Sequence, residues 1–103
     1  MKLLRDYQGI DIRLTEERLA HILNHPELAN MEYAISETLQ NPEQVRVSRT
    51  DKNVILYYRY YTQTIVNDKW LCVVVKNFKN DAFILTTYLT DRIKKGEILW
   101  LQQ

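Results

Sequence analysis

Trp70 to Val75, read WLCVVV, is six consecutive apolar residues followed by Lys76. A half-buried strand alternates polar with apolar residues, and an amphipathic helix repeats its apolar positions three and four apart. An unbroken run of this length instead marks a strand buried on both sides. Such a strand must be flanked, and the sequence on either side supplies candidates. Val45 and Val47 alternate with Arg46 and Ser48, and the polar cluster Arg49 to Asn53 makes a turn. Val54 to Thr62 is rich in β-branched and aromatic residues. Alternation groups Ile55, Tyr57, Arg59 and Tyr61 on one face and Val54, Leu56, Tyr58 and Tyr60 on the other. Asn67-Asp68 and Asn77 to Asp81 are turns. From Ala82 to Tyr88, alternation groups Ile84, Thr86 and Tyr88 against Phe83, Leu85 and Thr87. Four strands joined by short turns predict an antiparallel meander.

The first part of the chain has a different period. Thr15 is an N-cap residue, and Glu16 and Glu17 put negative charge where the first turn of a helix favours it. Leu19, Ile22 and Leu23 form an apolar stripe. His21 and His25 lie four apart, so they share a neighbouring face. Pro26 lacks the amide proton a helix interior needs, so the first helix ends near His25 and a second starts with Pro26 in its opening turn. Leu28, Met31, Ile35 and Leu39 continue the stripe until Asn41-Pro42 stops it. Ahead of the helices, positions 7 to 9 offer a turn, and Ile10, Ile12 and Leu14 read as an edge strand. After the meander, Thr90 to Lys95 reads as a short turn of helix stopped at Gly96, and Ile98 to Leu101 tuck the terminus onto the domain. The expected class is α+β: N-terminal helices on one face of a four-stranded antiparallel meander, with a short C-terminal turn, as one domain over residues 1–103.

Composition narrows the function classes. With 46% hydrophobic residues and a net charge of +1, the chain fits a globular domain with no whole-molecule excess of positive charge for nucleic acid. Its single cysteine, Cys72, cannot form an internal disulfide and sits in the apolar run, which points to the reducing cytoplasm. No segment has the length of a membrane span or the apolar core of a signal peptide. With two glycines there is no Gly-rich phosphate loop.

The candidate chemistry lies in three groups. The pair His21 and His25 has the spacing of two zinc ligands on a helix. It lacks the glutamate that follows the first histidine of a zinc peptidase, and no further Cys or His is marked as a third ligand. The same pair suits acid–base work, because imidazole titrates nearest neutrality, and it equally fits two exposed histidines at a helix end. The strand LYYRYYT, with Tyr57 among its aromatics, suits stacking beside a cation, and it is also an ordinary two-faced strand. Arg46, Arg59 and Lys76 lie on separate strands, from which they would meet in a phosphate-binding patch or remain solvated surface charges.

The ordered set His21-Ile22, His25-Pro26-Glu27, Asn41-Pro42, Ser48, Val73 to Lys76 and Thr86 to Tyr88 resembles the superfamily of barnase, EndoU, the tRNase colicins and RelE-type toxins, and more closely its phage and bacterial branch. The resemblance runs from about Gly9 to Trp100, and each motif is short, so the specificity lies in their order. One departure is Thr87, where that pattern carries a small residue. The resemblance implies a metal-independent endoribonuclease with no cofactor, in which a base takes the ribose 2′-hydroxyl proton, that oxygen attacks phosphorus, and an acid protonates the leaving oxygen. It implies His21 and His25 as acid and base, Lys76 as the phosphate-facing cation, and Ser48, Thr86 and Tyr88 as groups that orient the phosphate. Arg46, Arg59 and Tyr57 are added as substrate-binding candidates from the strand pattern. The implied partners are RNA and, for a toxin, a neutralising protein, with no membrane. The alternatives are a non-catalytic RNA- or protein-binding module of the same fold and a metal-dependent hydrolase using the histidine pair.

Overall fold

The computed structural model describes residues 1–103. Its helical part is α1 (Glu16–Leu23), a 3₁₀ turn (Pro26–Leu28) and α2 (Glu32–Gln40). The Thr15 hydroxyl accepts the Arg18 amide at 3.1 Å and so caps α1. Pro26 has no amide proton to extend α1, which ends at Leu23 and leaves His25 extended at φ −74°, ψ 121°. The second helix is therefore split into two pieces rather than starting whole at Pro26.

Seven strands, in place of the expected four, form one sheet: β1 (Lys2–Arg5), β2 (Asp11–Leu14), β3 (Gln44–Ser48), β4 (Val54–Thr64), β5 (Asn67–Phe78), β6 (Asp81–Thr90) and β7 (Gly96–Leu101). Their spatial order is β1-β2-β6-β5-β4-β3-β7. From β3 to β6 they form the antiparallel meander, and β5, which carries Trp70–Val75, is its centre strand. The N-terminal arm is a hairpin rather than a lone edge strand. Its β2 runs parallel to β6, with Arg13 opposite Phe83, so the sheet is mixed.

The C-terminal segment corrects the expectation of a short helical turn. Residues 91–95 cross the sheet as a strap, and β7 pairs antiparallel with β3 at the far edge. Gly96 is required there by space. A Cβ at that position would collide with the Val47 carbonyl oxygen.

The two faces of the sheet are covered differently. On one, Ile22, Leu28, Ala34, Ile35 and Leu39 from the helices pack on Val45, Tyr57, Leu71, Val73, Val75 and Ile84. The other has a smaller cluster of Leu56, Tyr58 and Cys72, covered by Ile93 of the strap with Val54, Trp70, Val74 and Tyr88. The Lys94 amide donates to the Tyr58 hydroxyl at 3.1 Å and fixes the strap. A register shift at Val74/Val75 leaves Leu85 as the extra residue on β6. That bulge separates residues that strict alternation groups together: Ile84 joins the helix-side core, whereas Thr86 and Tyr88 turn to the strap side.

Candidate functional site

Where α1 gives way to the 3₁₀ turn, the chain runs alongside β6 and leaves a cleft of about 640 Å³. It is lined by His25, Glu27 and Leu28, by Thr86 to Leu89 of β6, and by Val66 and Lys69. The two imidazoles stand edge to face with ring centroids 6.0 Å apart. Both side chains are exposed, and His25 Nδ1 lies 3.7 Å from the Glu27 carboxylate. His21 lines a separate hollow with Thr15, Glu17 and Arg18.

Of the anticipated phosphate ligands, Thr86 and Tyr88 line the cleft with His25. The Tyr88 ring, however, packs into the strap-side cluster, and its hydroxyl is buried without a hydrogen-bond partner. Burial raises that hydroxyl's pKa, with the nearby Cys72 adding to the shift. The Cys72 thiol is pushed up to about 11, chiefly by burial, so it is a packed side chain rather than a nucleophile.

Lys76 does not reach the histidines. It pairs across from Val54 on the strap side, where it is bound by Asp51 and lies 5.5 Å from the Phe78 ring centroid. Lys76, together with a backbone bond from Asn53, holds the Asp51 carboxyl below its ordinary range. The cation that does line the cleft is Lys69, seven residues earlier in β5, paired with Asp91 at 2.5 Å. Seven is odd, so Lys69 and Lys76 project from opposite faces of the strand.

The three strand cations also fail to converge. Arg46, opposite Leu56, is on the strap side, where it bonds Gln44 at 2.9 Å, while Arg59, opposite Leu71, is on the helix side, donating to the Asn41 carbonyl at 2.7 Å. Ser48 bonds Thr50 at the far end of β3 and does not line the cleft. Tyr57 is unavailable to a substrate. It is 2% exposed, and its hydroxyl donates to Asp6 at 2.8 Å. Desolvation, with the Asp6 carboxylate as acceptor, raises its pKa.

Asp6 was invisible to sequence reasoning. Its buried carboxylate accepts the Gln8 and Ile10 amides as well as the Tyr57 hydroxyl, tying the β1–β2 turn to the core. Glu27 stood in the sequence motif, but no role attached to it. Parity along β5 could have found Lys69 had the helix-facing side been known.

No three His, Cys, Asp or Glu side chains come together as a metal-ligating group. No helix is long and apolar enough to cross a membrane. Compared with known proteins, the chain matches no family model, no curated sequence and no solved structure.

Proposed function

We propose that the chain is a small metal-independent endoribonuclease acting at the cleft between the α1 end and β6. The observation that carries this reading is the pair of exposed imidazoles 6.0 Å apart beside a cleft holding a lysine and a threonine. A phosphodiester bound at their mouth meets the two proton-transfer groups that cleavage requires. One imidazole, neutral, removes the 2′-hydroxyl proton. The oxygen attacks phosphorus, the P–O5′ bond breaks, and the other imidazole, protonated, delivers a proton to the departing oxygen. The products are a 2′,3′-cyclic phosphate and a 5′-hydroxyl. Lys69 takes the role that the resemblance gives to Lys76, countering negative charge on the phosphorane.

A second reading is supported by the strap side. Arg46, Ser48, Lys76 and Thr86 share that face with no histidine among them, beside Trp70 and the exposed Tyr60, whose rings lie 5.1 Å apart. A module using that face would bind RNA or protein without cutting it.

The test is a synthetic RNA incubated with the chain in EDTA. The nuclease reading requires cyclic-phosphate ends from the wild type and their loss in His21→Ala and His25→Ala. Binding without cleavage selects the module, and activity restored only by added zinc selects a metal hydrolase.

A further inference from the structure

A second cavity, of about 260 Å³, adjoins the cleft. Glu27 lines both, and of two consecutive residues Ile65 lines this cavity while Val66 lines the cleft. Tyr33 of α2 and Tyr61 of β4 supply it with two aromatic rings, 6.4 Å apart between centroids and at 84° to each other. The Tyr61 ring is fixed, because its hydroxyl donates to the Glu37 carboxylate at 2.6 Å and Arg59 braces that carboxylate from 3.5 Å. Tyr33 differs. It is 63% exposed, so much of a large ring stands in water beside the fixed one. Asn30, Thr62 and Gln63 line the same cavity, and all three are exposed. The strand leaves its ladder to put two of them there. Between Tyr61 and Thr64 the pairing of β4 with β5 breaks, and Gln63 takes φ 58°, a left-handed conformation uncommon for a residue with a side chain. The Asp68 carboxylate accepts the Gln63 amide at 2.9 Å and holds it so. The Gln63 carboxamide is thus carried on a fixed backbone.

We propose that this cavity is a subsite for a nucleobase of single-stranded RNA, stacked on Tyr33 with its edge toward Asn30, Thr62 and Gln63. Size, shape and chemistry each favour that ligand. At about 260 Å³ the cavity is smaller than the roughly 300–1,000 Å³ of pockets that enclose a whole ligand, so it suits one flat ring system with the rest of the molecule outside. Two rings near a right angle make a corner, in which a flat ligand stacks on one ring and sets its rim against the other. Carboxamides and a hydroxyl carry donors and acceptors together, as base edges do, and one carboxamide can meet a base through two bonds at once. An aliphatic side chain would use none of these groups. The inference rests on the nuclease reading for its choice of a base over another flat ring. A phosphodiester in the cleft carries a nucleoside on each side, and the cavity shares Glu27 with that cleft. The residues assigned here bind and orient; none moves a proton.

The probe is adenosine 3′-monophosphate, titrated at millimolar concentration into the isotope-labelled chain, with ribose 5-phosphate as the control that has no base. The nucleotide should shift the amide signals of Asn30, Tyr33, Thr62 and Gln63, and ribose 5-phosphate should not. Tyr33→Ala removes an exposed ring and puts a good helix former in its place, so α2 should survive. It should weaken the nucleotide about tenfold, the loss expected of one base–aromatic stack, while Tyr33→Phe retains it. The proposal is overturned if the nucleotide shifts these signals no more than ribose 5-phosphate does, if its shifts map elsewhere, or if Tyr33→Ala binds it as the wild type does. Cleavage of RNA in EDTA is scored separately. Shifts at these residues from a chain that cuts no RNA would leave the subsite standing and remove the nuclease. A chain that cuts RNA but shows no such shifts would remove the subsite alone.

Discussion

The two faces of the central strand β5 are both buried, yet they are buried by different means. Leu71, Val73 and Val75 meet two helices and a 3₁₀ turn, whereas Cys72 and Val74 meet a five-residue strap that contributes Ile93 and one backbone bond to Tyr58. One cover is a thick layer of interlocking side chains and the other is a single crossing of chain. Covering both sides of a sheet therefore does not require two layers of secondary structure. The second cover also leaves its neighbours polar, with Arg46, Lys76 and Thr86 on the same face.

The sharpest way to break this comparison is to truncate one residue under each cover. Leu71→Ala should cost about 3–4 kcal/mol in urea denaturation, the usual cost of a cavity in a dense core, while Ile93→Ala should cost about 1 kcal/mol because the strap can settle. Equal losses would mean that the strap is as tightly packed as the helices. Next in size is a test of which face carries chemistry. His25→Ala should reduce RNA cleavage about 100-fold, and Lys76→Ala should leave it within about threefold of wild type. The rate against pH should be bell-shaped, since one imidazole must be neutral while the other is protonated. A large loss in Lys76→Ala would move the active site to the strap side.

Gly96→Ala should cost about 1–3 kcal/mol, because the new methyl must push β7 away from Val47. Amide exchange should show the loss confined to β7 and the strap, with α1 and α2 still protected, and a global loss would contradict the independence of the two covers. The smallest effect concerns Asp51. Its carboxyl is held below its ordinary range, first by Lys76, so its contribution is complete above the unfolded carboxylate value and is lost as pH falls through the lower folded one. Acid exchange of the Arg49–Asn53 turn should therefore accelerate less in Asp51→Asn than in wild type. If the two accelerate alike, the ion pair does not hold that turn.

The parts of the fold that were legible in the sequence were those set by local pattern. Thr15 announced its helix, Pro26 its break, and Trp70 to Val75 its central place. The edges were not legible. In β1, Leu3 and Leu4 stand between Lys2 and Arg5 without alternation, and in β7 a bulge against β3 disrupts the period, so neither segment carries a strand signal of its own. The site was obscured by the same run that made the fold readable. A strand apolar on both sides does not reveal which side meets the helices, and Lys76 could therefore be taken for a neighbour of His25 when parity sends it to the opposite face. The bulge at Leu85 likewise separated Ile84 from Thr86 and Tyr88.

The strap also has a consequence for the chain during its own synthesis. β7 closes the free side of β3, but the ribosome makes β3 first and adds the whole of β4, β5 and β6 before β7 emerges. At about 5–20 residues per second, Thr50 to Lys95 takes a few seconds, during which the outer rim of β3 stands uncovered. The helix-side core needs Ile84 of β6, which is made shortly before Ile93 of the strap, so neither core can close until nearly the whole chain has been synthesised. In that interval, chaperones would meet a strand whose outer rim waits for the last segment of the chain.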